Sequence, residues 1–183
     1  MWIKILYGLL EYSQSDLKFL GKSVVILSRE YANIMIVLLQ LSKVSSMPGS
    51  LLTSKLFLPP ARPDRVARPR LLARLQLGLQ GPLTLICAPP GYGKTTLVSE
   101  WRTGLGASVP VAWISLDDGD SAPVRFMSYL LAAIRTVVPG LGEGIEEMLQ
   151  SAPPPIESIL VAVLNDVATA NSKIILVLDD YHV

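Results

Sequence analysis

The stretch from Leu83 to Arg102 constrains this chain more than any other. Leu83-Thr84-Leu85-Ile86-Cys87 is a short apolar run, with Gly81-Pro82 before it and Pro89-Pro90-Gly91 after it. So short and largely apolar a run, bounded by turn residues on both sides, predicts a buried strand. A helix is predicted at about 94–103, with Leu97, Val98 and Trp101 inward and Gly104 as its stop. A buried strand that turns sharply into a helix commits the chain to an α/β layer architecture.

The residues at that turn are Ala88-Pro89-Pro90-Gly91-Tyr92-Gly93-Lys94-Thr95, followed by Thr96. They fit the P-loop pattern with alanine in place of the first glycine. The chemistry needs these residue types. Backbone N–H groups must turn inward around phosphate oxygens, and Gly91 and Gly93 supply the conformations and the room. The helix N-terminus adds its positive end. Lys94 brings a compact charge to the β- and γ-phosphates of a nucleotide, and Thr95 a hydroxyl to Mg²⁺. The spacing alone is only moderately specific; the strand before it and the helix after it carry the assignment.

The α/β pattern continues. Val111 to Leu116 reads as a second strand, and Asp117-Asp118-Gly119-Asp120-Ser121 as a turn with Ser121 a candidate helix cap. Asp117, Asp118 and Asp120 lack the further ligands of a Ca²⁺ loop, so a turn and cap role is expected of them. A helix over about 122–138 is broken by Gly140, Gly142 and Gly144. Another follows Pro153-Pro154-Pro155, with Ile156, Ile159, Leu160, Val163, Leu164 and Val167 as its stripe. Ile174 to Leu178 is a third buried strand, and the sheet is expected to be parallel. Trp101 and Trp113 sit within apolar patterns and are expected in the core.

That third strand ends in Asp179-Asp180. Asp commonly closes a strand at a surface turn. Beside a phosphate loop, an acidic residue at the end of a second buried strand holds Mg²⁺, and a neighbouring carboxylate orients the attacking water. Asp179 is therefore the candidate metal residue with Thr95, and Asp180 the candidate general base. The single histidine, His182, is left out of the catalytic set.

Upstream, residues 1–46 carry five basic and three acidic side chains, 47–82 six and one, and 83–183 five and eleven. The shift from a basic to an acidic block marks distinct segments. The net charge of +1 gives no case for nucleic acid or an anionic membrane. Residues 2–10 and 31–39 have helical apolar spacing. Residues 47–82 hold a Ser/Pro/Gly linker, a Pro/Arg-rich extended segment and a helix with Leu71, Leu72, Leu75 and Leu79 as its stripe. Residues 1–46 are either a helical extension or upstream sequence read in frame ahead of a start at Met47. The longest strongly apolar run, Ile34 to Leu39, falls far short of the about 20 residues that span a bilayer. The first ten residues lack the features of a signal peptide. One cysteine, Cys87, excludes an internal disulfide and fits a reducing cytoplasmic setting.

Lys55-Leu56-Phe57, Pro59-Pro60, Arg62-Pro63 and Val66-Ala67-Arg68-Pro69-Arg70-Leu71-Leu72 precede the loop. Gly91-Tyr92-Gly93-Lys94-Thr95-Thr96-Leu97, Ser99-Glu100-Trp101, Ala112-Trp113-Ile114-Ser115-Leu116-Asp117, Arg125-Phe126 and Val177-Leu178-Asp179-Asp180-Tyr181-His182 follow in order. Over about residues 53–183 this resembles the N-terminal region of large ATP-binding LuxR-type transcriptional regulators, within the signal-transduction ATPases with numerous domains. The resemblance implies an ATP/ADP switch with slow hydrolysis, self-association in the ATP state, and DNA binding through a C-terminal helix-turn-helix that these 183 residues do not contain. It implies an adenine contact from the segment before the loop, with Arg68 the best single candidate. It also implies that the strand between the loop strand and the Asp179 strand comes later in sequence. The expectation is thus an incomplete P-loop sheet with a gap, an N-terminal fragment that folds poorly and binds nucleotide weakly. The alternatives are a signalling ATPase with another output, such as a fused kinase, and a non-functional remnant.

Overall fold

The computed structural model describes residues 23–28, 51–60, 66–81, 83–106, 109–142, 144–145, 156–169 and 174–181. In chain order its main elements are β1 (Ser23–Ser28), α1 (Pro69–Gly78), β2 (Leu83–Ile86), α2 (Lys94–Leu105), β3 (Val111–Ser115), α3 (Pro123–Arg135), α4 (Ile156–Thr169) and β4 (Ile175–Tyr181). Short 3-10 helices lie at Thr53–Leu56 and Asp118–Ser121. The predicted 2–10 and 31–39 helices, His182 and Arg65 lie outside the described residues.

The strands form one sheet in the order β2-β1-β4-β3. β3 and β4 are parallel, with Val111 opposite Ile175 and Ser115 opposite Asp179. β1 is antiparallel to both its neighbours, pairing Val24 with Ile86 on one side and Ile26 with Val177 on the other. Two expectations are thereby corrected. The sheet is mixed rather than parallel, and the position between the loop strand and the Asp179 strand is filled. Ser23-Val24-Val25-Ile26-Leu27-Ser28 fills it, from the segment expected to be helical. An antiparallel ladder satisfies the backbone groups of both neighbours as fully as a parallel one would.

Alternation along β3 and β4 divides the core. Ala112, Ile114, Leu176 and Leu178 face one side and pack with Phe126, Met127, Leu130 and Ile134 of α3 and Ile159 and Val163 of α4. Trp113, Ile175 and Val177 face the other and pack with Leu75 of α1 and Leu97, Val98 and Trp101 of α2. The result is a helix–sheet–helix sandwich. Both tryptophans are in the core as expected, and the Trp113 indole donates to Ser115 Oγ at 2.9 Å.

The helix ends follow local chemistry. α1 and α3 both begin with proline, which needs no intrahelical partner for its missing N–H. Residue Ala122, not Ser121, caps α3; the Ser121 hydroxyl instead donates to the Asp118 carbonyl. α2 runs past Gly104 and stops at Gly106, whose φ of 69° ends the helix. Gly140, Gly142 and Gly144 all take positive φ beyond the end of α3.

Candidate nucleotide site

All three co-directional strands, β2, β4 and β3, end at the same edge of the sheet, and the candidate residues gather there. The loop after β2 reaches α2 through two left-handed glycines, Gly91 (φ 83°) and Gly93 (φ 75°). A side chain at Gly93 would also meet the Arg68 guanidinium, 3.3 Å from where its Cβ would lie. Lys94, the first residue of α2, is buried and donates from Nζ to the carbonyls of Ala88 (2.8 Å) and Pro89 (3.3 Å). The start of the loop is thus tied to the ammonium group of the residue that opens α2.

Thr95 Oγ1 lies 3.0 Å from each oxygen of the Asp179 carboxylate. Asp179 is buried at the end of β4, and its carbonyl accepts from the Leu116 N–H at 2.9 Å. Burial pushes the Asp179 carboxyl above the usual carboxylate range, and the charge of Asp180 adds to this. The hydroxyl of Thr95 and the charge of Lys94 pull the other way without cancelling it. Next along, Asp180 has a φ of 56°, the one described non-glycine residue in the left-handed region. Pro90, Gly91, Gly93, Lys94, Thr95, Thr96 and Asp180 line an open cleft of ≈ 460 Å³. Tyr181 follows, its phenol pushed up to about 12 by burial.

Arg68, on the segment before α1, donates from Nη1 to the carbonyl of the exposed Tyr92 at 2.8 Å. The same Pro/Arg-rich segment is held at Pro59, whose carbonyl accepts from Ser99 Oγ at 2.9 Å. Thr95, Asp179 and Asp180 thus meet beside the loop, and Arg68 touches the loop itself at Tyr92, although 112 positions separate Arg68 from Asp180.

The oxygens of Thr95 and Asp179 are hard donors that suit Mg²⁺. Among the described residues no group of three His, Cys, Asp or Glu converges as a metal cage. Mg²⁺ does not require one: it keeps several waters and takes one or two carboxylates together with substrate phosphates. The donor set fits that ion.

A second polar cluster stands at the end of β3, where sequence reasoning found only a turn. Asp117 and Asp120 form a reciprocal capping box around Asp118–Ser121, so the expected cap role is present. Lys55 also reaches them, with Nζ 2.6 Å from Asp117 and 2.5 Å from the buried Asp120. Arg125 Nε holds the other oxygen of Asp120 at 3.1 Å. Lys55 and Arg125 both lie against the Tyr129 ring, whose hydroxyl accepts from the Leu52 N–H at 3.1 Å. Lys55 stands in the run Ser54-Lys55-Leu56, and nothing local to it points to acidic partners more than sixty residues away.

The chain is similar to the HTH-type transcriptional regulator MalT of Cronobacter sakazakii (strain ATCC BAA-894). They are 40% identical over 133 residues, which make up 72% of this chain and 14% of that regulator. This relationship to an HTH-type transcriptional regulator agrees with the class that the resemblance implies; the chain spans about one-seventh of the relative's length. No protein-family model matches the chain. No solved structure matches it at a significant level. No helix among the described residues is long and apolar enough to cross a membrane.

Proposed function

We propose that this chain carries the ATP-binding part of a molecular switch in a LuxR-type transcriptional regulator. The observation that carries the proposal is the convergence of the Thr95 hydroxyl on both oxygens of buried Asp179, beside a glycine-turned loop closed by Lys94. Gly91 and Gly93 let the N–H groups of residues 91–96 wrap phosphate, and α2 adds its N-terminal dipole. Lys94 exchanges its loop carbonyls for phosphate oxygens. Thr95 and Asp179 hold Mg²⁺, which supplies charge neutralisation to the phosphates. Asp180, facing the cleft, orients water for slow hydrolysis, and Arg68 reaches from the preceding segment toward the base.

In this reading residues 83–183 are the start of the nucleotide domain, and 47–82 are the linker, the Pro/Arg-rich segment and its helix. Self-association belongs to the ATP state. DNA is bound through a helix-turn-helix outside these residues. The similarity to a regulator of that class supports the assignment.

Titration of the full chain with Mg-ATP tests the proposal. Lys94→Ala is expected to weaken binding by about 100-fold, because a charge-assisted contact to phosphate is lost. Asp179→Ala is expected to retain much of the affinity and to lose hydrolysis. Equal hydrolysis by the Asp179→Ala protein would rule out the metal assignment, and unchanged affinity in Lys94→Ala would rule out the phosphate site.

A further inference from the structure

β1 is hydrogen-bonded on both sides. It pairs residues 24–27 with Leu83–Ile86 of the strand that launches the loop, and pairs along β4 from Ile175 to Tyr181. Adjacent strands lie about 4.8 Å apart, so one intervening strand sets β2 and β4 about 10 Å apart. No other described strand joins β2 to the rest of the sheet. The separation of Thr95, carried by the loop and α2, from Asp179, carried by β4, therefore depends on β1.

The register adds a second effect. Val25 opposes Leu178, yet Ser23 opposes Tyr181. Two steps along β1 are matched by three along β4, so β4 carries a bulge within Asp179–Asp180. Asp180 is also the residue with φ 56° and the one from β4 that lines the cleft. Bulges of this kind re-aim a side chain, commonly beside a site.

We infer that the strand Ser23–Ser28 is a positioning element of the nucleotide site: its two antiparallel ladders hold the loop and Asp179 at their working separation and impose the bulge that turns Asp180 to the cleft. Residues ahead of Met47, which the resemblance does not cover, thereby belong to the functional unit. The inference rests on the nucleotide reading above.

The test uses the full chain. In a Cys87→Ser background, Ser28→Cys and Ile175→Cys occupy opposed positions at the end of the sheet far from the cleft. Opposed residues of an antiparallel pair lie within disulfide range. The expected result is ready formation of the intramolecular disulfide, with Mg-ATP affinity equal to or tighter than that of the reduced protein. A disulfide that does not form while the reduced protein binds ATP would overturn the inference, as would one that forms and abolishes binding.

A second variant separates positioning from stability. Ile26→Pro removes a ladder N–H at the centre of β1. Its affinity ratio with and without Mg²⁺ is expected to fall by at least about tenfold, toward one, while Ile26→Val keeps the ratio of the parent. An unchanged ratio in a folded Ile26→Pro protein would overturn the inference; if that variant does not fold, the disulfide result decides. If the parent chain binds no ATP while the disulfide forms, the nucleotide reading has failed, and the positioning role with it, although β1 pairs as described.

Discussion

At the residue scale the site is built from groups that are costly to the resting protein. The Asp179 carboxyl is buried and raised, so in its ordinary titration range the folded state holds a proton that the unfolded chain has released. Its contribution is complete below about pH 3.8 and declines as pH rises through its folded value. Asp179→Asn should therefore raise the melting temperature of the protein without nucleotide at neutral pH, and flatten the fall in stability above the carboxylate range. A melt series from pH 4 to pH 8 checks both. The same change should weaken the Mg²⁺-dependent part of ATP binding. Asp180 holds a conformation that a β-branched residue resists. Asp180→Val should lose about 1–2 kcal/mol in denaturant melts, and Asp180→Asn, which tolerates the left-handed region, much less. Gly93→Ala meets both a positive φ and the Arg68 guanidinium, and should reduce ATP affinity more than Gly104→Ala, which has nothing nearby.

Among elements, the Thr53–Leu56 turn is fastened to the start of α3 by charge. Burial lowers the Lys55 pKa, but hydrogen bonds to Asp117 and Asp120 outweigh this and leave it raised. The same Lys55 contact holds Asp117 below the usual carboxylate range. Asp117 thus stabilises above its unfolded pKa, and this is lost as pH falls through the lowered value. Lys55 contributes below its unfolded value and loses that contribution as pH rises through the raised one. Lys55→Ala leaves buried Asp120 with the Arg125 guanidinium and the Asp117 N–H but without the ammonium between the two carboxylates, and should cost about 2–3 kcal/mol, measured by urea unfolding. Much at this scale was legible in the sequence. Strands at 83–87, 111–116 and 174–178 and the helices between them lie within a few residues of their predicted places, because their apolar patterns are uniform or cleanly periodic. The loop at 88–96 and Asp179-Asp180 stood out because glycine, lysine and acid sit at strand ends. β1 was not legible. Its run of Val, Val, Ile and Leu is a strand signal, but it lies between two helical spacings. Which strands it joins is a long-range fact that no local pattern encodes. Lys55 was hidden for the same reason: its partners lie more than sixty residues away.

For the whole molecule, the sheet predicts where protection should be deepest. β1 is central rather than peripheral, so the amides of Val25, Ile26 and Leu27 should exchange as slowly as those of Leu176, Val177 and Leu178. Exchange of the β1 amides at the rate of exposed chain would place the strand outside the stable sheet. The sandwich also explains why both faces of β4 are apolar up to Leu178 and acidic only beyond it. The interior ends where the carboxyl edge begins.

The pairing of β1 has a consequence for how the chain is made. Its first partner, β2, is about 60 residues away and its second, β4, about 150. During synthesis the β1–β2 ladder can close early, but it leaves one full edge of backbone donors and acceptors open until β4 emerges. Contacts of such separation slow assembly, since the loop must be closed before the contact repays it. β1 waits for a strand made about 150 residues later, and only their meeting brings the two halves of the cleft together.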